Sequence, residues 1–110
     1  MLRMMPFLLT LLMLLVAGPR LAAAQQTATT SSSLDVPQLF AGTCGWCHSD
    51  GGRAPGKGPQ LMDTARTDDF IRFRIQHGKE GAMPAFGASF SDADLEAIIK
   101  YIRSLKPEQG

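Results

Sequence analysis

The chain has 110 residues, with 11 basic and 10 acidic side chains and a formal net charge of +1. This balance, with no polybasic run and no acidic block, argues against nucleic-acid binding and against a membrane-surface role. Only two cysteines and two histidines are present, so metal or thiol chemistry rests on Cys44, Cys47, His48 and His77.

At the N-terminus Arg3 precedes an apolar run, FLLTLLMLLVA, from Phe7 to Ala17, broken by Gly18, Pro19 and Arg20. Ala22-Ala23-Ala24 then offers a small-x-small cleavage site, so residues 1–24 read as a secretory signal peptide. An uncleaved anchor is the alternative, but the run is short of the roughly 18–20 apolar residues a span needs. Cleavage removes Arg3 and Arg20 and leaves an 86-residue chain with a net charge of −1. That length allows one domain, and domains this small often need a staple.

Residues 25–34 form a polar, low-complexity leader without apolar periodicity, expected to be disordered. The domain is expected over 35–106, with 107–110 as a short tail. Asp35 is placed to cap a helix starting near Val36 and Pro37, with Leu39 and Phe40 on its apolar face. That helix should run to about the first cysteine.

There the chain reads CGWCH, from Cys44 to His48. C-x-x-C-H is the attachment signature of a c-type haem. Two thiols at this spacing match the separation of the two vinyl groups of a haem. The histidine after the second thiol is then held beneath the porphyrin, within reach of the iron. The pair alone also fits a thioredoxin-like redox site, half of a zinc site or a short disulfide. No βαβ pattern accompanies it, a zinc ion would lack ligands, and a disulfide leaves His48 without a role.

After His48 the stretch SDGGRAPGKG reads as an irregular loop and leads into Gly58-Pro59-Gln60-Leu61. Thr67, Asp68 and Asp69 open a second helix that Gly78 stops, directly after His77. Its apolar pairs Phe70/Phe73 and Ile71/Ile75 are expected to face the core or the haem. Lys79 to Ser89, KEGAMPAFGAS, is again loop-like. In the last helix Ser91 and Asp94 resemble a capping box, and Phe90 is placed to staple onto Leu95. Leu95, Ile98, Ile102 and Leu105 form its apolar stripe, and Pro107 closes it. No β alternation appears, so the fold is expected to be all-α, with about three to five helices and long loops.

The order CGWCH, GPQL, MPAF and a final amphipathic helix resembles the class I cytochromes c over roughly residues 35–106. The resemblance implies loops wrapped around one covalently bound haem c, outside the cytoplasm, with the first and last helices packed together. By position it makes His48 the proximal ligand and Met83 the distal one. The carbonyl of Pro59 becomes the acceptor for the other ring N–H of His48, a bond that fixes the tautomer. Phe40 and Tyr101 match the aromatic positions where the terminal helices cross. Val36 departs from the pattern, which often has glycine there, so either the crossing is wider or the register differs.

Met62 and His77 are the rival sixth ligands. Met62 suits an apolar gap-filler, and His77 suits a helix C-terminus, where it meets the last carbonyls. The MPxF context and the flanking glycines favour Met83. With both axial positions filled, the reading is a periplasmic single-electron carrier and not an enzyme. A dedicated haem subunit or acceptor of a periplasmic quinoprotein-type dehydrogenase is the alternative. Redox proteins are the implied partners: a dehydrogenase as donor, and an oxidase or another cytochrome as acceptor. No stable membrane insertion is expected after cleavage. Between Arg53 and Lys79 six basic residues (Arg53, Lys57, Arg66, Arg72, Arg74, Lys79) outnumber three acidic ones. They read as a solvated face or as a docking surface near the haem, where Trp46 either adds a contact or is buried.

Overall fold

The computed structural model describes residues 31–108. The signal peptide, residues 25–30 of the leader and residues 109–110 of the tail lie outside the described residues. Within them are three α-helices, α1 (Val36–Ala41), α2 (Asp68–His77) and α3 (Asp92–Ser104), and two 3-10 turns, Cys44–Trp46 and Asp50–Gly52. There is no strand among the described residues, only one antiparallel bridge between Lys79 and Met83. The all-α reading stands, with the second 3-10 turn falling inside the stretch expected to be irregular.

Each helix starts where its capping residue dictates. The Asp35 carboxylate accepts the Gln38 N–H at 2.9 Å, and Thr67 accepts that of Phe70 at 3.2 Å. Ser91 and Asp94 form the full reciprocal capping box at the head of α3, which satisfies two N–H groups that the helix itself leaves unpaired. Gly78 ends α2 with φ 66°, a left-handed conformation that suits glycine. Two residues ahead of α1 also touch the domain: Ser32 donates to Asp94 at 2.5 Å, and Leu34 packs against the core.

The core gathers Val36 and Phe40 from α1, Ile71 and Ile75 from α2, and Leu95, Ile98, Ile99 and Ile102 from α3. Ile99 joins the four stripe residues read from the sequence, widening the buried face of α3. Phe90 packs against the same cluster, consistent with the staple. Phe73 behaves differently from its expected role. Two residues from both Ile71 and Ile75, it lies on the opposite side of α2; it is 52% exposed and stacks on His77 with ring centroids 4.3 Å apart.

Helix α3 packs against both α1 and α2. At the junction with α1 the rings of Phe40 and Tyr101 stack, their centroids 4.6 Å apart, and the Tyr101 hydroxyl donates to the Gly51 carbonyl at 2.8 Å. Val36, where the resemblance favours glycine, is buried in the same core cluster as Phe40 and the α3 residues. The two terminal helices pack together.

The capping box yields a stability prediction. Ser91→Ala removes the cap and should cost about 1 kcal/mol, read by chemical denaturation. Hydrogen bonds from Ser32, then from the Ser91 backbone and side chain, hold the Asp94 carboxyl below the usual carboxylate range. A carboxylate lowered on folding stabilises above its unfolded pKa and loses that contribution as pH falls through the folded one. Asp94→Asn should therefore flatten the acid limb of the stability profile and leave the alkaline limb unchanged.

Candidate haem-binding site

Between these elements lies a cavity of about 410 Å³, within the roughly 300–1,000 Å³ typical of sites that enclose small ligands. Cys44, Cys47, His48, Pro59 and Met83 all line it. Met62 and His77 do not. Met62 is half-buried, its N–H donating to the Gly52 carbonyl at 3.0 Å. His77 is exposed, with Nδ1 3.0 Å from the Phe73 carbonyl of its own helix.

The cysteine turn follows from its local sequence. Gly42 closes α1 by donating to Gln38 at 3.1 Å, and the 3-10 turn begins two residues on. Gly45 rests against the Phe40 carbonyl, where any β-carbon would collide with it. The N–H groups of Cys47 and His48 both donate to the Cys44 carbonyl, at 3.2 and 2.9 Å. This winding turns both thiols and the imidazole towards one cavity. The cysteines are not bonded to each other. Burial pushes the Cys44 thiol pKa up, and the neighbouring Cys47 adds to the shift.

His48 is 9% exposed, and its Nδ1 lies 2.8 Å from the Pro59 carbonyl. A carbonyl only accepts, so Nδ1 carries the proton and Nε2 keeps its lone pair. Gly58 supports one face of the ring. A β-carbon on it would stand 2.7 Å from Cε1 and 3.0 Å from Nδ1 of His48. Sequence reasoning found Pro59 by resemblance and missed Gly58, though the bare backbone before that proline was its signal.

The segment bearing Met83 is held by main-chain bonds at both ends. Lys79 and Met83 exchange N–H···O bonds, each of 2.8 Å. Beyond them the N–H groups of Phe86 and Gly87 donate to the Ile75 and Gln76 carbonyls of α2, at 2.8 and 3.1 Å. The loop thus caps the end of α2, and a β-carbon on Gly78 would strike the Met83, Pro84 and Ala85 backbone. The walls are apolar, including Phe40, Ile71, Ile75, Phe86, Ile98 and Ile102.

Of the six basic residues, four line the cavity: Lys57, Arg66, Arg74 and Lys79. The other two are engaged elsewhere, Arg53 with the Lys106 carbonyl at 2.7 Å and Arg72 with Glu96. Trp46 is 82% exposed and does not line the cavity.

An all-α domain closed around such a cavity, met by a Cys-x-x-Cys-His turn, defines a small class I c-type cytochrome. Residues 34–102 match the family described as cytochrome c oxidase, cbb3-type, subunit III, and the chain belongs to that family. Cytochrome c6 of Gracilaria tenuistipitata var. liui is 32% identical over 89 residues, covering 74% of this chain and 81% of that one. A chain of the crystal structure of p-cresol methylhydroxylase with substrate bound is 32% identical, with TM-score 0.52, over 64% of this chain and 92% of that one. Dihydro-heme d1 dehydrogenase NirN in complex with DHE is 27% identical, with TM-score 0.56, over 66% of this chain and 16% of that chain. This chain is accordingly an electron-transfer protein with one covalently bound haem c, and not an enzyme.

The residues present fit that group. The cavity is apolar, its one histidine has the Nε2 lone pair available, and its two thiols stand free. Because Gly58 leaves no room for a side chain, Gly58→Ala must push the imidazole or the loop aside. We expect a cost of about 1–3 kcal/mol in denaturation, as for other overpacked sites, with a changed visible spectrum in the holoprotein.

Proposed function

We propose that the chain is a periplasmic single-electron carrier in which Cys44 and Cys47 hold the haem and His48 and Met83 are the axial ligands. Bound in the cavity, the haem supplies an iron that gains and loses one electron. The protein supplies attachment, through addition of the Cys44 and Cys47 S–H groups across the vinyls. The Pro59 carbonyl orients His48 and strengthens it as a donor. The Met83 thioether stabilises the reduced state and raises the potential. The apolar walls exclude water.

The observation that supports this reading most is the convergence of Cys44, Cys47, His48 and Met83 on one cavity, with Met62 and His77 outside it. The periplasmic assignment is supported by the N-terminal apolar run of residues 7–17. Among the described residues, no helix is long and apolar enough to cross a membrane.

Met83→Ala tests the ligand directly. The oxidised protein should show a weak near-infrared sulfur-to-iron band that disappears in Met83→Ala and persists in Met62→Ala. The potential should fall, and small exogenous ligands should begin to bind. A band that survives loss of Met83 excludes the assignment.

A second reading, a dedicated haem subunit or acceptor of a dehydrogenase, is favoured by the likeness to a chain of p-cresol methylhydroxylase. In both readings the docking surface is the rim of Lys57, Arg66, Arg74 and Lys79, with Trp46 as an exposed aromatic contact and an acidic redox protein as partner. Exposed charges steer association less as salt shortens the Debye length to about 8 Å. Electron-transfer rates with an acidic partner should fall between low and physiological salt. Trp46→Ala should slow the reaction at either salt and leave the salt slope unchanged; a rate independent of both salt and Trp46 would rule out this surface.

A further inference from the structure

The segment ahead of α1 makes a contact that helix formation does not require. At the head of α3 the Ser91 N–H, at 2.9 Å, and the Ser91 hydroxyl, at 2.8 Å, both donate to one oxygen of Asp94, Oδ2. The other oxygen, Oδ1, accepts the hydroxyl of Ser32 at 2.5 Å, from 62 residues away in the chain. A capping box asks only that this side chain reach back to the N-cap N–H. The bond from Ser32 therefore serves something other than the helix start.

Ser32 is itself braced. Its oxygen accepts the Leu34 N–H at 3.0 Å, and the Leu34 side chain packs against the core cluster. Half-buried Ser32 and Leu34 alternate with exposed Ser31, Ser33 and Asp35. A period of two is that of an extended segment laid on a surface with one face down.

The stretch between Met83 and α3 has two moorings. One is on α2, where the Phe86 and Gly87 N–H groups donate to the Ile75 and Gln76 carbonyls. The other is the head of α3 itself, where Phe90 directly precedes the cap. Between these moorings Ala88 and Ser89 are exposed and Phe90 is half-buried. Phe86 and Phe90 both line the cavity, their ring centroids 5.9 Å apart, and both pack on the core cluster that Leu34 also touches.

We propose that residues 32–34 form a strap that clamps the head of α3 and, through Phe90, steadies the cavity wall that follows Met83. Ser32 is then a positioning residue that sets how readily the Met83 sulfur leaves the iron. This rests on the reading above, in which the haem fills the cavity with Met83 on the iron. With the strap closed, both Asp94 oxygens are engaged and the stretch from Phe86 to Ser91 is fixed at each end. With it open, the second mooring rests on the Ser91 box alone, and local opening of the Met83 segment gains population. An external ligand reaches the iron only in that open state, so its apparent affinity scales with the open fraction.

The test is imidazole binding to the oxidised holoprotein, followed by loss of the near-infrared sulfur band. Ser32→Ala should bind imidazole about three- to tenfold more tightly than the unmodified protein, because a hydrogen bond to a charged group is among the stronger ones. Ser32→Thr keeps the hydroxyl and should match the unmodified protein. Ser32 belongs to no helix and does not line the cavity, so both variants should fold. Tyr101→Phe also loses one hydroxyl bond, to the Gly51 carbonyl and away from the head of α3. It should unfold at lower denaturant while its imidazole affinity stays unchanged. Unchanged affinity in Ser32→Ala, a Ser32→Thr as loose as Ser32→Ala, or an equal rise in Tyr101→Phe overturns the strap. An unmodified protein with no sulfur band overturns the Met83 reading instead, which separates the two failures.

Discussion

The structure depends on a cavity that its own side chains do not fill. Nine apolar side chains are buried among the described residues, and five of them, Phe40, Ile71, Ile75, Ile98 and Ile102, also look into the cavity. The core is therefore a wall around a cofactor more than a mass of its own. Burying this apolar wall against the haem supplies hydrophobic burial that a domain of this size otherwise lacks, which couples attachment of the haem to formation of the fold. The free thiols of Cys44 and Cys47 stand at the edge of the space that must be filled.

The same constraint explains why main-chain atoms appear so often at the site. A wall that must fit a flat disc closely leaves little freedom to long side chains. His48 is held by the Pro59 carbonyl and by the bare face of Gly58. The Met83 segment is held by the Lys79 and Met83 backbone pair and by the last carbonyls of α2. Gly45 and Gly78 stand where a β-carbon would meet neighbouring backbone.

Much of this was legible because it is local. The caps at Asp35, Thr67 and Ser91, the stop at Gly78 and the α3 stripe are each written within a few residues and appear as read. CGWCH is also local, since a turn five residues long sets its own geometry. What could not be read was which of two faces an amphipathic residue takes. Phe73 was grouped with Phe70 by spacing, yet the burial of Ile71 and Ile75 fixes the rotation of α2 and leaves Phe73 outside. The six basic residues looked alike in the chain. Only tertiary placement divides them, sending Arg53 to the C-terminal segment and Arg72 to Glu96 while Arg66 and Arg74 converge on Phe70. The mooring of the Met83 loop on α2 joins residues about ten apart by backbone atoms alone, and backbone partners carry no residue-type signal.

Electron transfer makes rigidity the useful property. A carrier that rearranged its ligands at each change of charge would have to supply that reorganisation on every cycle. On the reading proposed here, the two axial ligands come from opposite stretches of the chain, each anchored independently: His48 through the turn after α1, Met83 through the end of α2. Helix α3 touches both supports, packing on α1 through Tyr101 and Phe40 and on α2 through the shared core. It contributes no ligand, yet it sets the separation of the parts that do. The strongest local code in the sequence, the capping box and apolar stripe of α3, thus lies in a helix that carries no haem-chemistry motif and lines the cavity only with Ile98 and Ile102. The chemistry is concentrated in CGWCH and GAMPAFG, and the distance between them is kept by a helix with neither.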